Sequence, residues 1–176
     1  MQIIGRTLGA SLAMGNACVL KPSEEACLTA LAIGQLANEA GFPEGSINIV
    51  TGLGEKAGSS LIKHPDINHI SFTGSVEIGK KVQTEAAKNL IPVTLELGGK
   101  SPQIVFEDAN LEKALPFLIN AGIQNAGQTC SASSRILVSK KIYAELIDKM
   151  SKLYCKLKVA QAIDDKDLGP VISSRQ

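Results

Sequence analysis

Tryptophan is absent from this 176-residue chain, and only two tyrosines and four phenylalanines occur in it. Stacking platforms for bases therefore have little to be built from, and no basic cluster interleaves with aromatics. Nucleic acid is not an expected partner. Charge of one sign is also missing, since 18 basic and 17 acidic residues sum to +1. The four cysteines, Cys18, Cys27, Cys130 and Cys155, contain no C-x-x-C pair, and neither His64 nor His69 lies near them. No zinc set and no disulfide framework is legible, so no metal is expected and the chain reads as cytoplasmic and reduced. No uninterrupted apolar run approaches the length of a membrane span, so no membrane partner is expected. The opening MQIIGRTLGASLAMGN lacks a charged leader, is interrupted by Arg6 and repeats its apolar positions at helical spacing, so it is expected to be a helix and not a signal peptide. A serine nucleophile elbow, G-x-S-x-G, is missing as well.

What is present is a chain 44% hydrophobic, enough to bury a core. Helical patterns alternate with short apolar, β-branched runs. Residues 2–14 read as a helix, ACVLK (17–21) as a strand stopped by Pro22, and residues 24–40 as a helix closed by Gly41. SINIVTG, HISFTGS and PVTLELGG read as further strands, with helices over 54–64 and 76–89 between them. Strands this apolar, alternating with helices, imply an α/β fold with a parallel sheet covered on both faces over residues 1–97. After the break GGKSP a second α/β series begins over 98–176: strand PQIVF, a helix from Asn110, the Cys130 loop, strand RILVS and a helix from Lys141.

Several turns carry chemistry. FTGSVEIG places Gly74, Ser75 and Gly79 where a strand runs into a helix, and backbone N–H groups there suit an anionic phosphate. The spacing is G-x-x-x-x-G rather than G-x-G-x-x-G, and a plain βα turn explains it equally. GLGEKAG, with Gly54 and Gly58, has the same two readings. LKPSE puts Lys21 at a strand's carboxyl edge, where open α/β sheets bind ligands, and Glu24 in the first helical turn. One donor and one acceptor suit ribose hydroxyls; a surface lysine and a dipole-favoured acid are the simpler account. Glu96 stands between Leu95 and Leu97 on an apolar strand, a context that raises a carboxyl pKa and suits a general base. Taken alone, the segment is better explained by a solvent-facing edge glutamate. Cys130 is surrounded by Gln128, Thr129, Ser131 and Ala132 rather than by Leu, Val or Ile. A reachable thiolate nucleophile and a tolerated loop cysteine fit it equally. Cys18, Cys27 and Cys155 lie in apolar patterns and read as core fillers.

Read together and in order, GNACVLKPSE, GFPEGSINIVTG, HISFTGSVEIG, VTLELGGKSPQIVFEDANLEKA, GQTCSASSRILV and LGPVISSRQ resemble the blocks of the aldehyde dehydrogenase superfamily. The likeness runs over essentially the whole chain, and Glu96 and Cys130 match the family's two active-site signatures. The resemblance implies a Rossmann-like cofactor domain, residues 1–97, followed by the start of a catalytic domain, residues 98–176. It implies that Cys130 attacks an aldehyde to form a thiohemiacetal and then a thioester, with its own backbone N–H helping to hold the oxyanion. Glu96 then activates the hydrolytic water. Lys21 and Glu24 match contacts to the adenosine ribose, Gly54 and Gly58 the adenine side, and Ser23 is a further cofactor contact. Phe72, Thr73, Gly74, Ser75 and Leu97 match further cofactor contacts, with Gly74 and Ser75 at the pyrophosphate turn. An acid at Glu24 favours NAD, with NADP possible. The resemblance further implies a small-molecule aldehyde as partner and a full-length homodimer or homotetramer. Against the family pattern the chain lacks the upstream asparagine block, the downstream glutamate–phenylalanine block and the oligomerisation strands, so it is expected to be an incomplete chain, inactive alone. Acylating or phosphorylating relatives, and a non-catalytic nucleotide-binding relative, are the alternatives. Glu96 favours the hydrolytic branch over the first, and both Cys130 and Glu96 speak against the second.

Overall fold

The protein is described by a computed structural model covering residues 2–176. It divides into two compact units, Met1–Leu97 and Gly98–Gln176. The first unit runs α1 (Gln2–Ala13), β1 (Cys18–Leu20), α2 (Leu28–Glu39), β2 (Ile47–Ile49), α3 (Ser59–Ile62), β3 (Ile70–Gly74), α4 (Val76–Lys88) and β4 (Val93–Leu97). Two hydrogen-bonded pairs form among these strands, β1 with β2 and β3 with β4, and both are parallel.

Glycine sets how closely helix and sheet approach. A Cβ on Gly34 of α2 would fall 2.8 Å from Ile49 Cδ1, and one on Gly79 of α4 would fall 2.7 Å from Leu97 Cδ2. Both helices therefore lie nearer the strands than any larger residue permits. On α4 the buried residues Gly79, Val82 and Ala86 fall at three- and four-residue intervals, the single face that packs inward. Helix α2 ends in a Schellman-type cap: Gly41 has φ +79°, and Phe42 N–H donates to the Ala37 carbonyl at 3.1 Å.

The sheet differs from the sequence expectation in two respects. Strands β1 and β2 are only three residues long, and no ladder joins them to β3 and β4 among the described residues. The apolar runs are covered on one face rather than two, leaving Val19 exposed on β1. The helix expected over 24–40 is also split. Residues Glu24–Ala26 form a 3-10 turn, because the Ser23 hydroxyl accepts from Glu25 N–H, and the α-helix begins only at Leu28.

The second unit contains β5 (Ser101–Val105), α5 (Leu111–Ile123), β6 (Ser133–Val138) and α6 (Tyr143–Tyr154). Strands β5 and β6 pair in parallel, with an irregularity between Ser101 and Pro102. Asn110 starts α5 by accepting from Lys113 N–H. Leu111, Leu115, Leu118 and Ile119 of α5 meet Val105, Leu146 and Met150 in one apolar core. Lys149 ties the two helices by pairing with Glu112 of α5 and Glu145 of its own helix. Those two carboxylates raise its pKa, the hydrogen bond to Glu112 first.

Candidate functional site

Each parallel pair of the first unit delivers candidate residues at its carboxyl end, the edge where open α/β sheets bind ligands. Lys21 directly follows β1, and it is not the surface lysine that the sequence alone favours: its side chain is only 14% exposed. Its Nζ donates to the Pro22 carbonyl at 2.7 Å and to Glu24 Oε2 at 3.2 Å. Glu24 is held below the usual carboxylate range, first by its own backbone N–H, then by the Lys21 ammonium, with the Gly54 N–H adding a smaller part. A Cβ on Gly58 would sit 3.6 Å from Lys21 Cδ. Lys21, Glu24, Gly54 and Gly58 thus form one group. A buried-stem ammonium beside a fixed carboxylate is a donor–acceptor pair that a sugar diol can bridge. Ser23 joins them only through its cap on Glu25.

At the next carboxyl end, the register sets Thr73 beside Glu96 and Gly74 beside Leu97. Gly74 has to be small: a Cβ there would lie 2.6 Å from Cζ of the Phe72 ring. Ser75 Oγ accepts from Ile78 N–H at 3.2 Å, so α4 starts with its positive end facing the end of β3. These groups fit an anionic dinucleotide: a diol-matching pair after β1 and a helix start after β3.

At Glu96 the structure agrees with the simpler reading of the segment, a solvent-facing glutamate, and not with an enclosed carboxyl. Its side chain is 46% exposed, not enclosed by Leu95 and Leu97, and Arg6 of α1 stands at 3.5 Å. On a β-strand neighbouring residues point to opposite faces, so apolar neighbours in sequence do not surround the carboxylate. Arg6 was not singled out as a site residue by its sequence; only the packing of α1 brings it here.

In the second unit Cys130 lies in a turn between α5 and β6 and is exposed. Three residues before it, Asn125, Ala126 and Gly127, have φ of +53°, +54° and +76°. That run turns the chain sharply out of α5 and leaves the thiol reachable. The Cys130 backbone N–H has no hydrogen-bond partner among the described residues. Gly99 lies alongside, where an added Cβ would be 3.9 Å from the Cys130 carbonyl oxygen. The other cysteines divide differently from the sequence expectation. Cys18 and Cys27 are half-buried, but Cys155 is exposed because α6 ends at Tyr154 and leaves it as the cap. No cluster of His, Cys, Asp and Glu able to hold a metal occurs among the described residues.

Comparison with known proteins bears on these sites. The model of the aldehyde dehydrogenase family matches residues 1–176. The chain is 46% identical over 167 residues to aminoaldehyde dehydrogenase 1, peroxisomal, of Pisum sativum, covering 94% of this chain and 33% of that protein. A crystal structure from Burkholderia cenocepacia superposes with a TM-score of 0.98 at 55% identity, covering 99% of this chain and 37% of that one. Betaine aldehyde dehydrogenase from Staphylococcus aureus, in complex with NAD+, superposes with a TM-score of 0.88 at 41% identity, covering 90% and 32%. The chain therefore spans about a third of the length of the curated relatives it matches.

Proposed function

The chain belongs to the aldehyde dehydrogenase family, and from that premise we propose that it carries the nucleophile, the water-activating base and the adenosine end of the cofactor site of an NAD-dependent enzyme converting aldehydes to carboxylic acids. The observation that carries this reading is Cys130, an exposed cysteine in a turn of small residues with its own N–H unengaged. Its thiolate adds to the aldehyde carbonyl, and the oxyanion that develops lies within reach of that N–H. When bound, NAD supplies the hydride acceptor that lets the Cys130 thiohemiacetal pass to a thioester. Glu96 then takes a proton from water as the water attacks the thioester carbon, and the carboxylic acid leaves with the Cys130 sulfur freed.

Lys21 and Glu24 would hold the adenosine ribose, with the α4 start at Ser75 facing the pyrophosphate. Because Glu24 keeps its charge, a 2′-phosphate would meet repulsion there, which favours NAD over NADP. Betaine-type and amino aldehydes are the substrate class we favour, on the likeness to the Pisum sativum and Staphylococcus aureus enzymes. Self-association of the full-length enzyme, as a homodimer or homotetramer, is part of the reading. Four free cysteines suit a reducing compartment such as the cytoplasm.

The test is Cys130→Ala in the enzyme that carries this chain. NADH formation from betaine aldehyde should vanish while NAD still binds. Undiminished turnover would remove Cys130 from the mechanism.

A further inference from the structure

Gln128, two residues before Cys130, makes more directed contacts than any other side chain of the loop. Its Nε2 donates to the Asn125 carbonyl at 3.1 Å, and its own backbone N–H donates to the same oxygen at 3.1 Å. Asn125 answers through Nδ2, which donates to the Gln128 carbonyl at 3.1 Å. The remaining group, Gln128 Oε1, accepts from Ile172 N–H at 2.9 Å, in a segment 44 residues further along. A donor faces a carbonyl and an acceptor faces an N–H, so the orientation of this amide is fixed by its partners.

What these bonds hold is unfavourable by itself. Asn125, Ala126 and Gly127 are left-handed in succession, and only glycine adopts that region without steric cost. Such a run persists where its surroundings over-determine it, and this commonly happens at functional sites. We propose that Gln128 is a positioning residue for the Cys130 turn. It locks the left-handed run to the backbone at Ile172, so that the Cys130 N–H is aimed where an oxyanion forms on a carbon bonded to the Cys130 sulfur. The proposal rests on the reading of Cys130 as the nucleophile and adds to it the group that fixes its amide.

Two reagents separate positioning from mere accessibility. The thiolate displaces iodide from the CH2 carbon of iodoacetamide, so the S–C bond forms as the C–I bond breaks and no oxyanion arises. p-Nitrophenyl acetate is attacked at its carbonyl: the S–C bond forms through a tetrahedral oxyanion, and p-nitrophenolate leaves with the electron pair of the broken C–O bond. Both rates are read at Cys130 by peptide mass in the enzyme that carries this chain, with Cys155, exposed in this structure, as the internal control. In the parent chain Cys130 should be acylated faster than Cys155. In Gln128→Ala, acylation of Cys130 should fall about tenfold, the effect of misaiming one oxyanion donor rather than deleting it. Alkylation of Cys130 should change less than threefold. Ile172→Pro deletes the N–H from the other side and should lower acylation in the same selective way, which keeps the test alive if Gln128→Ala does not fold. Equal loss in both reactions, no loss in either, or no preference for Cys130 in the parent chain overturns the proposal. Neither reagent needs NAD, so a failure here is distinct from a failure of the NADH test on Cys130→Ala.

Discussion

Arg6 extends its guanidinium from α1 to within 3.5 Å of the Glu96 carboxylate at the end of β4. Both side chains are about half exposed, and exposed pairs of this kind contribute only about 0–1 kcal/mol. Arg6→Gln should therefore move the thermal midpoint little, and calorimetry at low and high salt should show the difference shrinking with salt. Glu96→Gln should likewise change stability little, but should slow hydrolysis of the Cys130 thioester about 10²–10⁴-fold in the enzyme that carries this chain. Acylated Cys130 should then accumulate, visible by mass. If the acyl group fails to build up, Glu96 is not the base.

Much of this architecture was legible because strands and helices announce themselves by period. The α4 stripe of Gly79, Val82 and Ala86 is readable from spacing, as is the Ser75 cap. Lys21 shows where legibility stops. A lysine after a strand looks solvated, yet its stem is covered and its ammonium is engaged by Pro22 and Glu24. Burial of a long polar side chain depends on what packs over it, and Gly58 is 37 positions away in sequence. Arg6 and Ile172 were invisible for the same reason: each acts through a contact between distant segments. The left-handed run at Asn125 and Ala126 had only one signal, the asparagine, a residue that tolerates that region. Alanine gave none.

Leu90, two residues beyond the end of α4, has φ +54° and is 90% exposed. Its N–H donates to Ala87 and the next N–H, of Ile91, donates to Ala86, which is a helix stop that glycine usually fills. A β-carbon in this region costs about 1–2 kcal/mol, partly offset by the greater unfolded-state freedom of glycine. Leu90→Gly should therefore stabilise the first unit by about 0.5–1 kcal/mol, since almost no packing is lost. Denaturant titration would show a higher midpoint with an unchanged slope. A lower midpoint would mean that the leucine has a packing role.

Glu24 gives a pH signature with a definite sign. Its folded pKa lies below the usual glutamate range, so the unfolded chain takes up its proton first as pH falls. The stabilisation from ionised Glu24 is thus fully present above the unfolded value. It is lost as pH drops through the depressed folded value. Lys21→Met removes the second-ranked cause while leaving the backbone N–H, so the carboxyl should titrate higher but still below an unpaired glutamate. Carbon-13 NMR of the Glu24 carboxyl measures both. A titration unmoved by Lys21→Met would mean that the ammonium contributes nothing to the cluster.

Gly79 links packing to the proposed cofactor site. A Cβ at this position would lie 2.7 Å from Leu97 Cδ2 and 3.3 Å from Leu97 Cδ1, too close for either methyl to remain where it is. Helix propensity alone favours alanine over glycine by about 1 kcal/mol. Overpacking against the half-buried Leu97 side chain costs about 1–3 kcal/mol, so the clash outweighs the propensity. Gly79→Ala should destabilise the protein and turn Leu97, the residue that pairs with Gly74 across the two strand ends. Because Gly74 and Ser75 form the proposed pyrophosphate turn, NAD affinity should fall further than stability accounts for. Isothermal titration with NAD, at a temperature where parent and variant are both folded, separates the two effects. If affinity is unchanged while stability drops, Leu97 packs against α4 without shaping the site.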